Sequence, residues 1–150
     1  MDKILFLGCG SWGGALGLVL AKNSYDVSMW HRNDDVVQKM KDSRQHYLVP
    51  SLCFPENISF TSDADTAIQN ASTVVIAVPS QSIRALLKTY KTAFTIDQTI
   101  VNVAKGIEVD TLMTVSEVIN DVMGDEFKRL VTLSGPSHAE EVIADHPTTL

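Results

Sequence analysis

Residues 3–13, KILFLGCGSWG, govern the interpretation of the whole chain. An apolar run followed by glycines predicts a short strand, a glycine-rich turn and the start of a helix. Gly8, Gly10 and Gly13 have the G-x-G-x-x-G spacing of dinucleotide-binding turns. Glycine allows a sharp turn at Gly8, close approach of a pyrophosphate at Gly10, and close packing of helix on strand at Gly13. The stretch therefore predicts a dinucleotide site.

The helix predicted after this turn, residues 12–22, is unusually rich in glycine. Its glycines are Gly13, Gly14 and Gly17. Each costs a helix up to about 1 kcal/mol relative to alanine, so close approach to a sheet or a cofactor is expected to offset the loss. The free backbone N–H groups around Ser11 and Trp12 are expected to face an anion. A glycine-rich turn without a ligand is the alternative, and the flanking strand and helix argue against it.

The length and the composition indicate one globular domain. The chain has 150 residues, of which 45% are hydrophobic, enough for a substantial core. The net charge is −6 and no basic run is visible, so nucleic acid is not an expected partner. The apolar runs are too short for a membrane span, and the first one is a strand broken by glycine, unlike a signal peptide.

The two cysteines, Cys9 and Cys53, form neither a disulfide framework nor a zinc-ligand set with the histidines. No metal site is therefore predicted, and a reducing cytoplasm is the expected compartment. Cys9 lies near a helix N-terminus, where a thiol can become reactive. A small residue that fits a crowded turn is the alternative, and it is the one favoured.

Strands alternate with helices along the chain. The predicted strands are the apolar run before Gly8 and residues 26–30, 58–61, 73–78, 99–104 and 130–133. The predicted helices are residues 12–22, 34–41, 63–69, 82–90, 111–123 and a last one from the turn 134–137 through 144, with a long loop at 42–57. Residues 146–150 resemble the beginning of another strand. This alternation predicts an α/β fold, a doubly wound, Rossmann-type parallel sheet with helices on both faces.

Ligands of such sheets bind at the carboxyl ends of the strands. This rule selects a set of candidate residues: 8–13, 31–32, 79–80, 105–106 and 134–137. The second strand ends at His31 and Arg32 and carries no carboxylate at its tip, where an NAD site usually has one. Arg32 suits a 2′-phosphate or an adenine face. NADP is therefore the predicted cofactor, and NAD stays open as the alternative.

Five segments, in order, resemble the bacterial NAD(P)-dependent glycerol-3-phosphate dehydrogenases. They are residues 8–16 (GCGSWGGAL), 30–32 (WHR), 77–81 (AVPSQ), 104–108 (AKGIE) and 133–139 (LSGPSHA). The glycine turn is shared with many dehydrogenases, whereas the last two segments are far more specific. The resemblance covers nearly the whole chain. It implies transfer of hydride between NAD(P)H and dihydroxyacetone phosphate, which yields glycerol 3-phosphate for phospholipid synthesis.

The resemblance also implies a role for individual residues. Ser11, Trp12, His31 and Arg32 would hold the cofactor with the glycine turn, Ala139 would face the cofactor, and Tyr47 is a weaker candidate. Lys105 would contact both cofactor and substrate. Gly135 and Ser137 would face the substrate. An ordinary exposed lysine is the alternative for Lys105.

The family also has a second, helical domain, which supplies a catalytic lysine and contacts to the substrate phosphate. Residues 1–150 resemble only the dinucleotide-binding domain, so no catalytic residue is assigned here and the chain alone is expected to be inactive. A homodimer is left open for the longer enzyme. Two other functions are alternatives: a stand-alone dinucleotide-binding or sensing module, and the cofactor domain of another two-domain hydroxyacid dehydrogenase. The Lys-Gly-Ile-Glu segment argues against the latter.

Overall fold

Six parallel strands form one sheet in the computed structural model, which describes residues 3–149. The strands are β1 (Lys3–Leu7), β2 (Asp26–Trp30), β3 (Ile58–Thr61), β4 (Thr73–Ile76), β5 (Thr99–Asn102) and β6 (Leu130–Thr132). Their order is β3-β2-β1-β4-β5-β6. This is the doubly wound Rossmann order, and it confirms the predicted fold. The order of the strands along the chain reverses between β1 and β4, which places a crevice at the carboxyl ends of these two strands.

Helices cover both faces of the sheet. They are α1 (Ser11–Lys22), α2 (Asp34–Ser43), α3 (Ala64–Gln69), α4 (Ile83–Tyr90), α5 (Val115–Met123) and α6 (Ala139–Ile143). The first, second and sixth pack on one face and the other three on the opposite face. None of these helices is long and apolar enough to cross a bilayer.

The central strand β1 supplies apolar side chains to both layers of the core. Leu5 and Leu7 join the cluster formed with α3, α4 and α5, whereas Phe6 joins the cluster formed with α1 and α2. A strand covered on both faces is expected to be continuously apolar, as this one is. Leu7 pairs with Trp30 of β2 and with Ile76 of β4, so these three strands end at the same level. The residues that follow them therefore meet at one edge of the sheet.

Strands β4 and β5 each end two residues earlier than predicted. Ile76 pairs with Leu7 on one side and with Asn102 on the other, and β1 ends at Leu7 because Gly8 turns the chain away. The last bonds of these ladders run from the N–H of Ala77 to the carbonyl of Leu7 and from the N–H of Val103 to the carbonyl of Ile76. Strand β6 likewise ends at Thr132.

Helix α5 begins at Val115, four residues later than predicted, because a capping box fixes its start. The Thr114 hydroxyl accepts the N–H of Glu117, and the Glu117 carboxylate accepts the N–H of Thr114. Leu112 has a φ of +58°, which is incompatible with a helix.

The strand expected at residues 146–150 is not formed over residues 146–149, and Leu150 lies outside the described residues. Asp145 has a φ of +57°, and the N–H of His146 donates to the carbonyl of Glu141, 2.9 Å away. The backbone therefore folds back to close the end of α6 instead of extending.

Candidate functional site

The glycine turn has the geometry that its sequence predicts. Gly8 has a φ of +106°, and a Cβ there would lie 2.7 Å from the carbonyl oxygen of Ala77. A Cβ on Gly13 would lie 2.7 Å from the carbonyl oxygen of Gly8. Both contacts involve backbone atoms, which cannot swing aside. Gly8 and Gly13 therefore allow α1 to start directly against the ends of β1 and β4.

Gly10 differs from both of them, because a Cβ on Gly10 would meet no atom within 4 Å. Gly10 is the N-cap of α1, and its carbonyl accepts the N–H of Gly14 as the first helical bond. The N–H groups of the first helical turn have no acceptor inside a helix. An open space beside Gly10 next to such N–H groups fits a dinucleotide pyrophosphate, which needs backbone donors and no side chain in its way.

A cleft of about 420 Å³ begins at this turn. It is lined by residues 10–13, 77–80, 103–105 and 137–140, which follow β1, β4 and β5 and flank the start of α6. A second cleft of similar volume lies over β2, β3 and α3. The N-terminus of α3 beside it is already capped by Asp63, whose carboxylate accepts the N–H of Thr66. We therefore place the candidate site in the first cleft.

The Lys105 side chain lines this cleft and links the segment after β5 to α1 and to the turn before α6. Its Nζ donates to the carbonyl oxygen of Ser137 at 2.6 Å and to the Ser137 hydroxyl at 3.2 Å. The same ammonium lies 5.2 Å from the centroid of the Trp12 ring, within the range of a cation–π contact. The Trp12 Nε1–H donates to the carbonyl of Val103 at 3.1 Å. Gly106 follows with a φ of +104°, which allows the chain to turn away after Lys105.

The structure thus brings part of the glycine turn, Lys105 and Ser137 together in one cleft. Ser137 and Ala139 are buried and line the cleft. Gly135 is not among the lining residues, but its carbonyl accepts the N–H of Ser137 at 2.9 Å and so shapes the turn before α6.

The residues at the end of β2 form a separate group. Arg32 is exposed. The His31 ring packs edge-on against Tyr47, with the two centroids 5.2 Å apart. Asp34 and Asp35 start α2 behind Asn33, whose side chain accepts the N–H of Asp35 at 2.8 Å. These two carboxylates lie in the first turn of α2, where their negative charge interacts favourably with the helix dipole.

A family model described as the N-terminus of NAD-dependent glycerol-3-phosphate dehydrogenase matches residues 3–150. The chain belongs to this family. It is 41% identical over 152 residues to glycerol-3-phosphate dehydrogenase (NAD(P)+) from Bacillus pumilus, a match that covers 100% of this chain and 44% of that protein. It is 43% identical over 151 residues to the Listeria monocytogenes enzyme of the same name, with 99% and 44% covered.

Solved dehydrogenase structures share the fold. Glycerol-3-phosphate dehydrogenase from Coxiella burnetii has a TM-score of 0.88 at 29% identity, over 98% of this chain and 45% of that one. The Saccharomyces cerevisiae enzyme has a TM-score of 0.82 at 19% identity, over 99% and 45%. This glycerol-3-phosphate dehydrogenase domain therefore spans less than half the length of the relatives that it matches.

Two residues of this dehydrogenase domain support the site but were given no role from the sequence. His46 is buried beneath the glycine turn, where its Nε2 lies 2.8 Å from the carbonyl oxygen of Cys9. Burial lowers the pKa of His46. No sequence signal could identify this contact, because the two residues are 37 positions apart. The apolar residues that follow His46 were the only hint that part of this loop packs against the core, as Tyr47 and Val49 do.

Glu108 is the second, and it lies outside the cleft. Its carboxylate accepts hydrogen bonds from Nε and Nη2 of Arg84, each at 2.9 Å, and from the Thr111 hydroxyl at 2.6 Å. These bonds hold the pKa of Glu108 below its usual range. Gln81 adds a bond from its side-chain amide to the carbonyl of Ile107 at 2.7 Å. The Lys-Gly-Ile-Glu segment therefore presents Lys105 to the cleft at one end and is tied to α4 at the other.

Cys9 is buried in this dehydrogenase domain, and burial raises its pKa to about 12, which disfavours the reactive thiolate. This supports the interpretation of Cys9 as a small residue in a crowded turn. Within residues 3–149, no group of three or more histidine, cysteine, aspartate or glutamate side chains is placed to hold a metal ion.

Proposed function

We propose that this chain is the cofactor-binding domain of an enzyme that reduces dihydroxyacetone phosphate to sn-glycerol 3-phosphate with NAD(P)H. The observation that carries the proposal is the open space beside Gly10, which lies at the N-terminus of α1 in the same cleft as Lys105. When bound, the dihydronicotinamide supplies the hydride that the substrate carbonyl carbon accepts. The domain has to bind that cofactor, orient the substrate and stabilise negative charge.

The proposed cofactor contacts divide along the cleft. The N–H groups of Ser11 and Trp12 bind the pyrophosphate beside Gly10, with Gly8 and Gly13 shaping the turn. The residues proposed for the adenosine half are His31, Arg32 and Tyr47. Ala139 also lines the cleft, and it is proposed to face the cofactor.

The proposed substrate contacts centre on Lys105. Its ammonium binds the dianionic phosphate of the substrate or stabilises the alkoxide that develops on the carbonyl oxygen. Ser137 faces the substrate beside it, and Gly135 shapes the turn that presents Ser137. Lys105 is the one lysine or arginine that lines this cleft in the part of the chain that the structure describes.

One cation cannot hold the phosphate and also protonate the carbonyl oxygen, so a catalytic lysine is expected elsewhere in the longer enzyme. The 150-residue chain, mixed with NADPH and dihydroxyacetone phosphate, should show no turnover when NADPH absorbance is followed. Turnover comparable to that of a full-length relative would overturn the two-domain account. We infer a role in phospholipid synthesis from the product, because glycerol 3-phosphate supplies the glycerol backbone of phospholipids. We infer a cytoplasmic location from the two free cysteines, which favour a reducing compartment.

We propose NADP as the preferred cofactor because Arg32 is exposed at the tip of β2, where an NAD site usually has a carboxylate. NADPH and NADH are titrated by fluorescence into the unaltered chain and into Arg32→Ala. A bidentate contact to a 2′-phosphate is worth about 1.5–3 kcal/mol, so Arg32→Ala should weaken NADPH binding roughly tenfold or more and leave NADH binding nearly unchanged.

The matched control is Lys39→Ala, which removes the same charge from an exposed position on α2. It should change neither affinity, since long-range attraction alone is screened by salt. Equal affinities of the unaltered chain for NADPH and NADH would contradict the NADP assignment. An equal loss for both cofactors in Arg32→Ala would show that Arg32 stacks on the adenine.

A further inference from the structure

The His46 ring uses both of its nitrogens and lies between the glycine turn and the loop that follows α2. Only 2% of the residue is exposed. Nδ1 accepts the backbone N–H of Leu48 at 3.0 Å and that of Val49 at 3.1 Å. Since Nδ1 is an acceptor, the proton of the neutral ring is on Nε2. Nε2–H therefore donates to the carbonyl oxygen of Cys9, 2.8 Å away.

The bond to Cys9 fixes the direction of the next peptide N–H. The carbonyl of Cys9 and the N–H of Gly10 belong to one planar trans peptide, so they point in opposite directions. A carbonyl held against His46 turns the Gly10 N–H to the side away from the ring. Gly10 lines the cleft and His46 does not. An effect of His46 on the cleft would therefore be transmitted by the Cys9–Gly10 peptide.

The same ring also fixes two neighbouring elements. A Cβ on Gly14 would lie 2.8 Å from Cδ2 of His46, so the first turn of α1 rests directly on the imidazole. Tyr47 stacks on the ring with a centroid distance of 5.0 Å and an interplanar angle of 24°, and it also packs edge-on against His31. One buried side chain therefore connects the glycine turn with the side chains at the tip of β2.

We propose that His46 is a positioning residue for dinucleotide binding, which orients the Cys9–Gly10 peptide through Nε2 and the Tyr47 loop through Nδ1. This inference rests on the proposed function of the cleft. On this proposal, the loop after α2 keeps the glycine turn in the cofactor-binding conformation even when no cofactor is bound. A preformed turn binds the cofactor more tightly, because the backbone of the turn loses less conformational entropy on binding.

Two substitutions distinguish the role of Nδ1 from that of Nε2. His46→Asn places an amide oxygen near the position of Nδ1, which keeps the acceptor for Leu48 and Val49 but cannot reach Cys9. His46→Gln places an amide nitrogen near the position of Nε2, which keeps the donor to Cys9 but removes the loop acceptor. Both are made in a Cys53→Ser background, because Cys53 is exposed and Cys9 is buried. The rate of Cys9 alkylation by a maleimide then reports opening of the glycine turn.

His46→Asn should accelerate Cys9 alkylation and weaken NADPH binding, each by about tenfold, the equivalent of one net hydrogen bond. His46→Gln should leave Cys9 alkylation within about threefold of the unaltered chain and weaken NADPH binding less than His46→Asn does. A ring that served only as packing would give the same alkylation rate in both variants, and that result would overturn the inference.

The inference and the proposed function fail in different ways. If the unaltered chain binds no NADPH, the proposed function is wrong, whereas the two alkylation rates still test whether His46 holds the turn. If NADPH binds equally well to both variants and to the unaltered chain, only the positioning role is wrong. If neither variant folds, NMR of the unaltered chain shows which imidazole nitrogen of His46 carries the proton. A proton on Nδ1 at neutral pH would overturn the proposal, and an unprotonated Nδ1 with Nε2–H would support it.

Discussion

Gly10→Ala should separate folding from cofactor binding. The φ and ψ of Gly10 are −66° and −178°, which alanine adopts without strain, and its Cβ would meet no atom within 4 Å. Alanine is a poorer N-cap than glycine by roughly 0.5–1 kcal/mol. The lower entropy of the unfolded chain returns about 0.4–1 kcal/mol. The free energy of unfolding should therefore change by no more than about 0.5 kcal/mol.

The added methyl group would occupy the space proposed for the pyrophosphate. Displacing the phosphates from even one charge-assisted N–H bond removes about 1.5–3 kcal/mol, so NADPH affinity should fall roughly tenfold to a hundredfold. The assay pairs a fluorescence titration of NADPH with thermal unfolding of the same sample. NADPH affinity within about twofold of the unaltered chain would refute the placement of the pyrophosphate beside Gly10.

Gly17→Ala is the matched control for Gly10→Ala, because it adds the same methyl group to the same helix. A Cβ on Gly17 collides with the terminal methyl of Met29 in β2, on the buried side of α1. Moving the flexible end of the buried Met29 side chain costs free energy, whereas alanine favours a helix over glycine by up to about 1 kcal/mol, so the two effects on stability oppose each other. Because position 17 does not line the cleft, the folded variant should bind NADPH normally, in contrast to Gly10→Ala.

Three further predictions concern other residues of the domain. In a full-length enzyme carrying this domain, Lys105→Ala should lower kcat/KM for dihydroxyacetone phosphate by at least about 2.7 kcal/mol, a hundredfold, and leave NADPH affinity within a few-fold. Near-normal kcat/KM would show that Lys105 is an ordinary exposed lysine. Because Arg84 holds the pKa of Glu108 low, Glu108 stabilises the fold above its unfolded pKa of about 4.5 and loses this effect as the pH falls through the lower folded value. The difference in melting temperature between the unaltered chain and Glu108→Gln should therefore shrink in acid, and a pH-independent difference would contradict the ion pair. Burial lowers the pKa of His46, so the unfolded chain takes up this proton first as the pH falls through about 6.5. The free energy of unfolding should decline over that range in the unaltered chain and decline less in His46→Gln, as urea titrations at several pH values would show.

The parts of the domain that could be predicted from the sequence are those governed by local patterns. The glycine spacing at 8–13 and the alternation of strands and helices depend on neighbouring residues, and the sheet order confirms the fold that they predict. The predicted ends of the strands were less accurate, because β4 ends where its neighbour β1 turns away at Gly8. The start predicted for α5 was four residues too early for a similar reason, since the apolar periodicity extends to residues before the Thr114 cap.

The candidate site was predictable only where its residues follow a strand directly. The rule that ligands bind at the carboxyl ends of strands selected Lys105 and Ser137, which the structure places in contact. Their proposed roles with the cofactor and the substrate remain predictions. His46 and Glu108 could not be found in this way, because their partners are distant in sequence and because nothing in a single sequence distinguishes a buried histidine from an exposed one.

The glycines of the turn and of α1 are constrained by different kinds of neighbours. An added Cβ meets backbone atoms at Gly8 and Gly13, and it meets side chains at Gly14 and Gly17. Moving a carbonyl would require the strand or the turn itself to shift, whereas a side chain can be exchanged for a smaller one.

This difference predicts how the sequence can drift. Positions 8 and 13 have no single exchange elsewhere that would make room for a larger residue. Position 17 can change together with position 29, since a shorter side chain in place of Met29 makes room for alanine. Position 14 is linked in the same way to position 46, so a lineage that lost His46 would be free to lose Gly14 as well.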